Sequence, residues 1–176
     1  MGGIMSDWSL PVRLAELARG PARFGLRPGE AECARIAADL GLVRLSDLDA
    51  QLETRPWLDG AEISGRFTAT VTQICGITLE PFETLVSGEI DVRVVPAGSP
   101  NAPVGSAGEV TLDLEGPEPP DEVEGELVDL AAYVIEHLAL EIDPFPRKPD
   151  AEFAYAPESP SLSPFAALAR LKKPDA

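Results

Sequence analysis

Between Ala61 and Ile74 the chain reads AEISGRFTATVTQI, a run rich in β-branched residues, and this stretch constrains the fold more than any other. Successive side chains of a strand point to opposite faces, so Ile63, Gly65, Phe67, Ala69, Val71 and Gln73 fall on one side. Gly65 suggests a bulge or bend within that strand. A second alternating run extends from Glu83 to Val95, and Gly76 and Pro81 mark a turn in the connector between the two. Two long alternating segments joined this way predict an antiparallel hairpin.

Other elements arrange themselves around that hairpin. Cys33, Ile36, Ala37 and Leu40 recur at helical spacing after the turn residues Pro28 and Gly29, and Gly41 supplies a stop, which predicts a helix over 30–40 with Arg35 and Asp39 facing water. From Val43 to Trp57 the alternation of Leu45, Leu48 and Leu52 is imperfect; a helix is compatible, a strand is favoured. A short strand is expected around Trp8 to Val12, at a sheet edge because of Pro11, and another at 108–114 after a Gly/Ser/Pro-rich loop. Leu127, Leu130, Ala131, Val134 and Leu138 then form an apolar stripe that predicts a helix over about 125–141.

The fold class that follows is α+β: a mainly antiparallel β-sheet, two principal helices and a Pro-rich C-terminal tail ending in a short helix. A single domain over residues 1–143 accounts for the core. Residues 144–162, rich in Pro and Ser, read as a mobile linker that lacks the periodicity to bury apolar surface. In 163–173, Ser163 and Pro164 suit the start of a helix, and Phe165, Leu168, Ala169 and Leu171 share one face, with Arg170, Lys172 and Lys173 closing it. So short a helix is marginal alone. Phe165, Leu168 and Leu171 are therefore expected to anchor it on this domain or on a partner.

Charge narrows the function classes. The formal net charge is −16, distributed as −2, −7 and −7 over residues 1–60, 61–120 and 121–176. Nucleic acids are gripped mainly by Lys and Arg neutralising phosphates, so a general RNA grip is disfavoured, while a basic protein would be attracted at long range. Bacterial surfaces are also acidic simply for solubility. The arginines Arg13, Arg19, Arg23 and Arg27 offer a local patch for RNA contact despite the net charge. No apolar run is long enough for a membrane span and no secretion signal is evident, so a cytoplasmic protein is expected, with neither membrane nor DNA as partner.

Catalytic signatures are missing from the sequence. His137 is the single histidine, which removes Ser-His-Asp, Cys-His and multi-His arrangements, and it reads as a half-exposed helix residue. Cys33 and Cys75 have no paired spacing; Cys75, at a strand end, reads as a small apolar residue before a ligand or nucleophile. Glu80 and Glu83 need not converge in strand geometry, and the acidic run at 121–126 lacks Ca²⁺-loop spacing and reads as a loop favouring the start of the following helix. No Gly-rich phosphate loop or nucleophile elbow occurs. Neither a cofactor, a metal nor a catalytic residue is expected.

Three blocks carry a family resemblance. GRFTATVTQIC with LEPF (65–75 and 79–82), GELVDLAAYVIEHLAL (125–140) and SPFAALARLKK (163–173) are similar, in order and spacing, to blocks of the YceD family. The resemblance implies a role in the synthesis, processing or accumulation of large-subunit ribosomal RNA and an association with a ribosomal protein. It supplies no catalytic residues. Many relatives have Cys-x-x-Cys at the turn; here Cys75 holds the first position and Thr78 the second, which argues against a zinc or redox role. The expectation is a non-enzymatic ribosome-biogenesis accessory factor acting through a basic ribosomal protein or assembly factor, with direct ribosomal RNA binding through the arginines as the alternative.

Overall fold

The computed structural model describes residues 8–102 and 119–153. The expected strand at 108–114 and the expected helix at 163–173, with Phe165, Leu168 and Leu171, lie outside them. In chain order the elements are β1 (Pro11–Arg13), α1 (Leu14–Leu17), β2 (Ala22–Leu26), α2 (Glu30–Asp39), β3 (Arg44–Trp57), β4 (Gly60–Ile74), β5 (Pro81–Pro96), β6 (Asp121–Val123), β7 (Leu127–Asp129) and α3 (Leu130–Glu141). The architecture is α+β with a mostly antiparallel sheet, as its alternating segments demand.

The main sheet has the order β2-β3-β4-β5-β6. The expected hairpin is β4–β5, paired without interruption from Ala61↔Val94 to Ile74↔Pro81. Its inward residues Ile63, Phe67, Val71, Ile90 and Val94 are buried, and they meet Leu130, Val134 and Leu138 of α3, Ile36 of α2 and Leu17 of α1 in one core. The opposite face of the sheet, including Arg66, Thr68, Leu85, Ser87, Glu89 and Asp91, stands largely exposed. One covered face and one wet face is the arrangement that strict alternation encodes in antiparallel strands.

The bulge lies in β3 and not at Gly65. Pairing between β3 and β4 shifts register between Ser46 and Asp49, and Asp47 adopts φ 55° there. The extra residue lets Leu45 and Leu48, three apart, both face the core, which explains the imperfect alternation read from this segment. Gly65 stays in register opposite Leu52 and Ile90. Its lack of a side chain serves close approach, since a Cβ would stand 2.2 Å from the Gln51 carbonyl oxygen. Gly88 has a similar reason: it is paired with Phe67, whose ring comes within 2.7 Å of where a Cβ would be.

Two expectations at the end of the domain are corrected. The helix expected from 125 begins at Leu130, because Gly125 turns the chain with φ 88° and residues 127–129 pair with Pro11–Arg13 as β7. Leu127, assigned to the buried stripe, is 55 % exposed. The acidic run at 121–126 does not flank the helix start; its first three residues form β6, which runs parallel to β5. The helix expected over 30–40 is present as α2, ended at Gly41 with φ 68°. The sequence reading assigned no element to α1 or β2.

Candidate functional site

The four arginines of the N-terminal segment are not one patch. Arg13 and Arg19 flank α1 and line the same surface hollow, together with Glu16, Asp59 and Glu126. Arg23 lies in β2, with its Nε 3.7 Å from Glu53, and Arg27 follows that strand and pairs with Asp49 on β3. Hydrogen bonds from Arg27 and then Gln51 hold the Asp49 carboxyl below its usual range. Across the exposed sheet face the pattern continues: Arg55 pairs with Glu53, and Arg93 with Glu62 while stacking over the Trp57 ring at 5.4 Å. Exposed pairs of this kind add little stability. Their consequence is that Arg23, Arg27, Arg55 and Arg93 are each matched locally by a carboxylate.

A more specific arrangement surrounds Cys75 at the end of β4. Its sulfur accepts backbone N–H groups from Ile77 at 3.4 Å, Thr78 at 3.5 Å and Lys148 at 3.3 Å, and the Thr78 hydroxyl also donates to it. Those donors, led by the Thr78 hydroxyl, lower the thiol from its ordinary 9.0 to about 6. The turn that brings them in has Leu79 at φ 59° and is closed by hydrogen bonds from the Leu79 N–H to the Cys75 carbonyl and from the Cys75 N–H to the Glu80 carbonyl. Thr78, at the position of the second cysteine in the resemblance, thus directs a hydroxyl at the sulfur. Cys75 is fully buried, and the reading of it as a merely apolar strand end misses its hydrogen bonds.

Residues just after α3 complete the arrangement. The Gly76 N–H donates to the Pro146 carbonyl at 2.9 Å, the Gln73 side chain donates to the Asp143 carbonyl at 3.0 Å, and Lys148 reaches Glu80 at 3.2 Å. Over residues 143–148 the start of the Pro-rich segment is therefore fastened to the β4–β5 turn. Glu80 is engaged by this lysine, and Glu83 points from the wet face of β5, so the two carboxylates are not assembled as a pair. His137 is half-buried on α3, its Nδ1 2.9 Å from the Tyr133 carbonyl one turn earlier. Cys33 is buried in α2, and burial first, then Glu32, raises its thiol.

Among the described residues no three His, Cys, Asp or Glu side chains are grouped to hold a metal ion, and no helix is long and apolar enough to cross a membrane. The sequence-level signal for the Cys75 arrangement was local only in part. Thr78 is three residues away, whereas the Lys148 amide arrives from 73 residues downstream.

Residues 63–172 match the family model described as large ribosomal RNA subunit accumulation protein YceD. The matched span starts in β4, includes the Cys75 turn and α3, and extends through the C-terminal residues with Phe165, Leu168 and Leu171. No curated protein and no solved structure matches the chain.

Proposed function

The chain belongs to the YceD family, and from that premise we propose that it is a non-enzymatic accessory factor of ribosome biogenesis, acting in the cytoplasm through protein partners. The family's description ties it to accumulation of the large ribosomal RNA subunit. A basic ribosomal protein or assembly factor is the partner class that suits a chain of net charge −16, because opposite fields raise encounter rates and suppress wrong partners. Phe165, Leu168 and Leu171 are the proposed apolar anchors of the C-terminal segment on that partner.

The observation that carries a protein partner over direct RNA contact is the state of the arginines. Arg23 and Arg27 each face a carboxylate on β3, so a phosphate would have to displace Glu53 or Asp49. Arg13 and Arg19 share their hollow with three acidic residues. The test is recovery of bound proteins and ribosomal RNA on the tagged full chain and on its Phe165→Ala, Leu168→Ala variant. The reading expects a basic protein on the wild type and its loss from the variant, with an unchanged unfolding midpoint. Undiminished recovery by the folded variant removes the anchors. Salt-sensitive RNA binding that needs Arg13, Arg19, Arg23 and Arg27 would instead establish the direct-contact alternative.

A further inference from the structure

The outward face of α3 and the strands beside it form a groove. One hollow, of about 450 Å³, lies among Asp91, Arg93, Asp121, Tyr133, His137 and Leu140. A second, of about 420 Å³, lies among Glu122, Val123, Leu127, Asp129 and Ala132. Asp121, Tyr133 and Glu136 line both, so the two are continuous along the helix. Ala132, Tyr133, Glu136, His137 and Leu140 recur at spacings that put them on one side of α3, a strip about 12 Å long.

Three properties of this strip point to one kind of occupant. Asp121, Glu122, Asp129 and Glu136 bring four carboxylates to its lining, and its one lining cation, Arg93, turns to the wet sheet face, where it is paired with Glu62 and stacked on Trp57. Its ends are apolar: Leu127 and Leu140 are 55 % and 77 % exposed. Its outer wall is β6, the last strand of the sheet order, which has no further neighbour among the described residues. The Tyr133 hydroxyl donates to Asp121 at 3.1 Å, and burial first, then the Asp121 charge, holds it protonated, so the tyrosine stands as a fixed wall between the hollows.

We infer that this groove is a docking surface for a Lys/Arg-rich segment of a partner protein, its cations meeting Glu122 and Glu136 while its apolar side chains rest on Leu127 and Leu140. A polyanion is repelled by the same carboxylates, so the groove disfavours RNA. The inference rests on the protein-partner reading above and gives that partner a seat on the folded body, separate from the C-terminal anchors.

The full chain, isotopically labelled, is titrated with a synthetic Lys-Leu-Arg repeat peptide and followed by amide chemical shifts. Shifts concentrated in β6, β7 and the exposed side of α3 are expected. Glu122→Gln with Glu136→Gln, two exposed residues, is expected to weaken binding about tenfold. Glu83→Gln with Glu89→Gln removes the same charge from the wet sheet face and is expected to change it less than about twofold. Equal losses in the two pairs would mean that the peptide senses only net charge, and the groove assignment falls. It also falls if the wild type refuses the peptide while amides of 163–173 shift in the Glu122→Gln, Glu136→Gln variant, since the chain's own tail then occupies the groove. A natural partner recovered by this variant but lost from Phe165→Ala, Leu168→Ala overturns the groove alone and leaves the protein-partner reading standing.

Discussion

At the residue scale, Cys75 couples a titration to the fold. Its sulfur receives the Thr78 hydroxyl and three backbone N–H groups, and these favour the thiolate in the native state only. The folded value of about 6 lies below the ordinary 9.0, so the contribution to stability is complete above pH 9, declines as pH falls, and is lost below pH 6. Urea unfolding midpoints of the wild type should therefore gain on those of Cys75→Ala as pH rises from 6 to 9. A constant difference across that window would show that the donors do not hold a thiolate. The sequence placed a cysteine at a strand end and a threonine at the next metal-ligand spacing, and both readings were useful. It gave no access to the Lys148 amide, because that contact depends on where the chain goes after α3.

At the element scale, the start of α3 depends on Asp129. Its Oδ1 accepts the Ala131 N–H at 3.0 Å, capping the helix, and the Leu10 N–H at 2.8 Å, holding the N-terminal segment beside β7. Asp129→Ala is expected to cost about 0.5–2 kcal/mol, the range for loss of an N-cap side chain, with Asp129→Asn retaining much of the stability; chemical unfolding of both variants checks this. The apolar period that runs through Leu127 concealed this boundary, since a strand residue can fall in phase with a helical stripe by chance. Leu45 and Leu48 posed the converse difficulty, a strand whose period is broken by a bulge at Asp47. The β4–β5 hairpin and α2 were legible because their patterns are long and uninterrupted. β2, with Arg23 and Gly25 among its five residues, and the parallel three-residue β6 carry too little pattern to announce themselves.

At the scale of the whole molecule, 30 acidic residues against 14 basic ones repel each other in the compact state. Raising salt from low to physiological ionic strength screens charges beyond about 8 Å, so the thermal midpoint at neutral pH should rise with added sodium chloride. Scanning calorimetry at several salt concentrations measures it, and a falling midpoint would mean that the local ion pairs across the wet sheet face outweigh the repulsion. The overall acidity and the one-sided sheet follow from composition and alternation. The splitting of the N-terminal arginines into an α1 pair and a β2 pair does not, because neighbours in sequence are separated by the path of the chain between those elements.

The fastening of residues 143–148 to the β4–β5 turn has a consequence for how the C-terminal motif can act. With the Lys148 amide on the Cys75 sulfur and the Pro146 carbonyl on Gly76, the chain leaves the β4–β5 turn at a defined point. Covalent geometry limits Ser163 to within about 50 Å of that point. On the proposed reading, a partner seated on the folded body within that reach would meet Phe165, Leu168 and Leu171 at the effective concentration of an intramolecular encounter. Two weak contacts, one on the body and one at 163–173, would then hold a partner more firmly than either alone.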